Sequence, residues 1–256
     1  VLYRKISSYK TLLSKETKRF LRVYHQTIIS PLVSALLFYH IFALSISKSV
    51  PKIAHLHYET FVAAGLIAMS VIQNSFANSS STILISKVNG AIIDYLIPPF
   101  TSNQIIFCIN AASFFRCALI SVLSLAVFSL LAPLHIHDIF LFAYYILVSS
   151  LICGLIGTFA GIYSRRFDDM AAITNYVVTP LSFLSGTFYS AHNLEGYWKY
   201  LVDFNPFFYM VDGIRYSITG YSEASIESGA IFLLALCISL WIFVYVILAT
   251  GWKLRK

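Results

Sequence analysis

The sequence predicts an all-α polytopic membrane protein with six transmembrane helices. An N-terminal amphipathic helix lies at the interface, and external re-entrant half-helices precede the last span. Three observations lead there. Hydrophobic residues make up 58% of the 256 and charged residues only 11%, against roughly a quarter charged in a water-soluble domain. The apolar residues gather into blocks near the ~20 residues that cross a hydrocarbon core of ~30 Å. Lys and Arg, which set the formal charge of +7, fall mainly in alternate connections between those blocks.

Residues 1–26 form the interfacial element, and 27–256 a single transmembrane domain. Ile6, Tyr9, Leu13, Phe20 and Tyr24 recur at near-helical spacing, with Lys10, Lys15, Lys18, Arg19 and Arg22 between them. That pattern suits a helix lying on a membrane. The first apolar run begins near Thr27, behind a long basic segment, as expected of an uncleaved anchor.

The expected spans are 28–47, 61–81, 105–131, 139–162, 171–190 and 230–250. Residues 48–60 make a polar loop with Pro51, and 132–138 a short turn around Pro133. Residues 196–218 are strongly aromatic but carry Lys199, Asp203, Asp212 and Arg215. One charge at mid-bilayer costs at least ~2.5–3.5 kcal/mol on insertion scales, which disfavours a seventh span. Asn205-Pro206 interrupts the pattern, so two short helices dipping into the outer leaflet are expected. Lys199–Asp203 and Asp212–Arg215 are spaced for pairing within them.

Six spans place thirteen of the eighteen Lys and Arg residues in the cytoplasm, four outside, and Arg116 within the third span. Both termini then face the cytoplasm, as the positive-inside rule requires. The excess positive charge therefore serves topology, and nucleic acid is not an expected partner.

Enzymatic readings find little support. The chain has no GxxxxGK[ST] loop, no GxGxxG after a strand, no HExxH and no GxSxG. It is therefore not expected to hydrolyse nucleotide itself. His55-x-His57 and His135-x-His137-Asp138 are weak metal signals and read as loop histidines. Cys108, Cys117, Cys153 and Cys237 lie in apolar blocks at no ligand spacing and read as packing residues.

Two spans carry polar stripes. Asn175, Thr179, Ser182 and Gly186 follow i, i+4, i+7 and i+11, with Pro180 inviting a kink by freeing the Tyr176 carbonyl. Ser70, Asn74, Ala77 and Ser81 form a comparable face, with Gln73 and Asn78 beside it. Such stripes either glue helices together or line a pathway, and the residues alone leave both open. Gly157-x-x-x-Gly161 reads as close helix packing. Arg116 reads as snorkelling to the headgroups, or as pairing with a cytoplasmic carboxylate.

The loop sequence NGAIIDYLIPPFTSNQII resembles the cytoplasmic loop of type-2 ABC exporter permeases. Asp94, Tyr95, Leu96, Ile97 and Pro99 match its acidic, apolar-pair and proline pattern, with Asp where Glu is commoner. The run from Phe167 to Gly220 is similar to the family signature in its FDD entry, TPLSFLSG run, FYS exit and NP…Y…RY…G segment. The resemblance covers essentially the whole chain and lies nearest bacterial drug- or polyketide-type exporters whose ATPase is a separate polypeptide.

That resemblance implies a permease in the bacterial inner membrane, working as a homodimer with two copies of a separate ABC ATPase. ATP and Mg would be bound by that partner, with no cofactor in this chain. Residues 82–98 would form the ATPase-coupling helix, with Lys87, Asn89, Asp94, Tyr95 and Leu96 at the contact. Ser70, Asn74, Asn175, Thr179 and Ser182 would line the pathway for an amphipathic, lipid-like, drug or polysaccharide cargo moving outward. Two other functions fit the residues: an ATP-independent channel or carrier, and a non-transporting membrane scaffold.

Overall fold

A computed structural model describes residues 2–47, 52–53, 56–92 and 100–253. His55 and the coupling residues Asp94, Tyr95 and Leu96 lie outside the described residues. Helix α1 covers Leu2–Arg22. A π-helical turn, His25–Ile29, then runs directly into α2, Ser30–Ile46. A two-residue antiparallel pair follows, Lys52–Ile53 (β1) against Leu56–His57 (β2), where a plain loop was expected. Three long helices come next: α3 over Tyr58–Val88, α4 over Ser102–Phe128 and α5 over Ile139–Tyr163. Helix α6, Phe167–Ile173, passes through a second π turn, Thr174–Val178, into α7, Thr179–Phe183. Two short helices, α8 (Tyr197–Asp203) and α9 (Pro206–Thr219), precede α10, Ile226–Thr250.

Local chemistry sets several boundaries. Thr101 and Gln104 form a capping box that starts α4. The Asp138 carboxylate accepts from the Phe140 and Leu141 amides at 2.8 and 3.0 Å and starts α5. Asn205 likewise accepts from the Phe207 amide at 3.0 Å, ahead of Pro206 in the first turn of α9. Gly220, at φ +73°, ends that helix.

Among the described residues, five helical segments are long and apolar enough to cross a membrane: His25–Ala43, Tyr58–Val88, Ser102–Phe128, Ile139–Tyr163 and Ile226–Thr250. The expected span 171–190 differs. Its helix runs from Phe167 to Phe183, about 25 Å at ~1.5 Å per residue, and then turns. Gly186 takes φ +73° there, a backbone conformation that a β-carbon disfavours. The chain at 196–218 does form two short helices broken at Asn205-Pro206, as expected.

Helix α3 is the central element, buried along almost its whole length, whereas α10 is exposed on much of its surface. Glycines explain how closely the bundle packs. A β-carbon on Gly157 would lie 2.5 Å from the Phe76 carbonyl oxygen, and one on Gly161 2.7 Å from that of Ser80. The GxxxG face of α5 therefore meets the α3 backbone directly. At the Tyr58 end, Gly65 abuts the Thr187 carbonyl in the turn after α7.

The two ends of α3 are built differently. Near Tyr58, Arg215 of α9 is fully buried, stacked 3.7 Å above the Phe61 ring, and donates to the Gly186 carbonyl at 2.6 Å. Asp212 accepts from the Glu223 and Ala224 amides at 2.9 Å each, and its carboxylate lies 4.0 Å from Arg215. The expected pairing of Asp212 with Arg215 is present, whereas Lys199 and Asp203 are exposed and no ion pair joins them. Near Val88, α1 packs along α4 with Leu12 and Phe20 buried.

Candidate functional site

Helix α3 presents Ser70, Gln73, Asn74 and Ala77 to a cleft of about 310 Å³. Ser30, Ser34 and Phe38 of α2 form the facing wall, and Thr174, Val178 and Thr179 close the side. Among the described residues, the lining thus mixes hydroxyls and amides with apolar side chains and includes no charged group.

Both flanking segments share a backbone device. Each has a π turn, His25–Ile29 or Thr174–Val178, with a proline two residues beyond it, Pro31 or Pro180. Proline supplies no amide and its ring crowds the carbonyl four residues back, so local rewinding relieves the clash. The rewinding changes which residues share a face. Ser70, Asn74 and Thr179 line the cleft, whereas Asn175 is exposed outside it. Ser182 is buried and donates to the Val178 carbonyl at 2.7 Å. The expected i, i+4, i+7 stripe assumes 3.6 residues per turn, and the π turn breaks that period.

Behind the cleft runs a buried polar column. Arg116 Nη2 donates to Asn74 Oδ1 at 2.6 Å, and Asn74 Nδ2 donates to the Ser70 carbonyl at 2.9 Å. One turn along, Asn78 Nδ2 donates to Ser113 Oγ at 2.9 Å. Asn78 Oδ1 accepts from Arg19 of α1 at 3.1 Å. Arg19 also contacts the Thr82 hydroxyl and lies 3.1 Å from the buried Glu16 carboxylate.

Arg116 is therefore not snorkelling: it is buried and bound to Asn74, and among the described residues no carboxylate pairs with it. Arg19 likewise turns into the bundle instead of lining a solvated basic face. The missed signal was Ser70, Asn74, Asn78 and Thr82 at successive four-residue steps, a single helical stripe. Its partners Arg19 and Arg116 come from two other helices, which spacing does not reveal.

At the Val88 end, the Lys87 ammonium donates to the carbonyls of Ile162 and Ser164, both at 2.6 Å. It thereby caps the carbonyl end of α5, where a cation is favoured. Asn89 is exposed, and the chain folds back so that the Ile92 amide reaches the Ser86 carbonyl at 2.8 Å. Beside α5, Asp169 accepts from the Arg165 and Arg166 amides at 2.8 and 3.1 Å. Those two hydrogen bonds hold its carboxyl below the usual carboxylate range.

The family model for the ABC-2 type transporter matches residues 7–219, from α1 through α9. The chain belongs to the ABC-2 type transporter family. It is also similar to the inner membrane transport permease YadH of Escherichia coli (strain K12), at 28% identity over 247 residues, covering 96% of both chains. The protein of that name from Shigella flexneri matches to the same extent. An ABC-2 permease is the transmembrane transport subunit of an ABC transporter, and such a subunit works with an ABC ATPase. With several spanning helices, this ABC-2 permease is a multi-pass inner-membrane protein.

Proposed function

We propose that this ABC-2 permease is one half of the membrane channel of an ATP-driven exporter. The cleft between α2, α3 and the α6–α7 segment lies on the cargo path. Two copies pair in the membrane over two separate ATPase subunits, which carry the ATP and Mg. Both termini face the cytoplasm, and residues 171–190, the α6–α7 helix beyond Asp169 with the turn behind it, make the sixth crossing. Drug-like, lipid-like and polysaccharide cargoes share the amphipathic character that this lining suits.

The observation that carries the reading is the cleft itself. In a permease of this family, polar groups from separate helices face one space of about 310 Å³, and both flanking helices are interrupted by π turns beside prolines. Helices so interrupted can re-aim their faces between two states, and ATP can drive transport only if the two states differ in free energy for nucleotide and cargo. Residues 82–88, expected to begin a separate coupling helix, are instead the last turns of α3, and the segment that follows them, with Asp94 and Leu96, is the proposed link to the ATPase.

The test is copurification with an ABC ATPase that carries a P-loop, followed by ATPase and flux measurements in liposomes. Cargo flux that requires ATP, with Asp94→Ala or Leu96→Ala leaving folded permease but uncoupled hydrolysis, supports the proposal. Flux that persists without nucleotide identifies a passive carrier. An absence of flux together with tolerance of changes at Ser70, Asn74 and Thr179 identifies a scaffold.

A further inference from the structure

We infer that the cleft selects cargo bearing an anionic group, a phosphate, sulfate or carboxylate, because Arg116 places behind Asn74 a positive charge that no described carboxylate offsets. The inference rests on the cleft being the cargo path and names the chemistry of what passes.

Arg116 sits near the middle of α4 and is 7% exposed. Among the described residues its one hydrogen bond is to neutral Asn74, and its Nε has no partner. Helices α4 and α5 contain no Asp or Glu, and the only one on α3 is Glu59, at the opposite end from Lys87. The neighbouring Arg19 is matched by Glu16 at 3.1 Å. Among the described residues, the polar column therefore keeps one positive charge without a counter-charge. A buried ion in that condition is costly, and an anion arriving from the cleft would lower the cost.

Asn74 makes the transmission direct. Asn74 is one of the residues lining the cleft, and its side-chain oxygen Oδ1 is held by Arg116. The cation thus stands one side chain behind a wall that carries no carboxylate of its own. In a site of low polarity its field favours anions and disfavours cations. The hydroxyls and amides of the lining have no charge preference by themselves, so the selectivity comes from α4, which does not line the cleft.

The test places a thiol in the cleft by Ser34→Cys. The parent chain, whose four cysteines are all buried, serves as the blank. Modification rates are measured with two methanethiosulfonates, one bearing a sulfonate and one a trimethylammonium, and their ratio is normalised to a free thiol in solution. The ratio cancels any change in thiolate fraction.

With Arg116 present, the normalised ratio is expected to favour the sulfonate by about tenfold over the Arg116→Gln background. Arg116→Lys should retain most of the preference. A ratio equal to that of the free thiol in the Arg116 and Arg116→Lys backgrounds overturns the inference, even if Arg116→Gln does not fold. An unchanged ratio in folded Arg116→Gln overturns it too. Failure of both reagents to react means that solute does not enter the cleft, which sinks the pathway reading and this inference with it.

Protection of the introduced thiol identifies the source of the anion. Protection by dodecyl phosphate in neutral-lipid vesicles points to an amphipathic cargo, and protection only by phosphatidylglycerol vesicles points to a bilayer lipid. Equal protection by dodecyltrimethylammonium counts against charge selection.

Discussion

The ammonium of Lys87 lies 2.6 Å from the carbonyl oxygen of Ser164, tying the end of α3 to the end of α5 next to the proposed ATPase-contact loop. The same ammonium donates to the Ile162 carbonyl at 2.6 Å. Charge-assisted hydrogen bonds of this kind contribute roughly 1.5–3 kcal/mol each when buried, and less at this half-buried site. Lys87→Ala is expected to lower the thermal midpoint of the detergent-solubilised protein and to weaken ATPase stimulation in liposomes. Lys87→Met, which keeps the aliphatic stem, should lose about the same, since the carbonyls need a donor.

The α3–α5 seam tolerates no added volume. Gly157→Leu and Gly161→Leu each push a side chain into the α3 backbone. Overpacking costs about 1–3 kcal/mol in a core that can shift, and a clash with backbone belongs at the upper end. Size-exclusion chromatography should show little monodisperse protein for either variant. Gly196→Leu should be milder: a β-carbon there would meet nothing within 4 Å, although φ is +62°.

Docking of α1 on α3 through Arg19 can be tested with a double-mutant cycle. Arg19→Ala removes the guanidinium beside a carboxylate that is 1% exposed. Breaking a buried pair costs about 3–5 kcal/mol, but Arg19 is partly exposed and solvent screening reduces this to roughly 1–3 kcal/mol. Glu16→Gln combined with Arg19→Met should be less destabilised than Arg19→Ala alone, as read from thermal midpoints.

Asp169 predicts an acid-sensitive start of α6. Its folded-state carboxyl is held below the usual range by the Arg165 and Arg166 amides. The associated stability is therefore complete above the ordinary carboxylate value of ~3.9 and is lost as pH falls through the lower folded-state value. Asp169→Asn should flatten the pH dependence of thermal stability in that acidic window and leave it unaltered near neutrality.

Pro180→Ala restores the amide whose absence accompanies the second π turn. The segment should then rewind toward regular α-helix and swing Asn175 toward the cleft. A thiol introduced by Asn175→Cys should change its labelling rate with a water-soluble maleimide in the Pro180→Ala background. Coupled ATPase activity should fall with it. An unaltered labelling rate would show that Pro180 does not hold the turn.

Most of the architecture was legible in the chain because lipid imposes a simple rule: apolar blocks of spanning length become helices, and Lys and Arg orient them. The starts of α2, α4, α5 and α10 lie within about five residues of their expected positions for that reason. The GxxxG seam was legible because only glycine permits two backbones to approach so closely. Asn205-Pro206 announced the break between α8 and α9.

The polar interior was decided by the tertiary structure. Helical spacing showed that Ser70 and Asn74 share a face, but Arg116 and Arg19 reach that region from α4 and α1, far away in sequence. A period of 3.6 also placed Asn175 with Thr179, and a π turn beside Pro180 separated them. Sequence periodicity reports where one helix is polar. Which charge stands behind that polarity depends on which other helices pack against it, and only the assembled bundle brings Arg116 to Asn74.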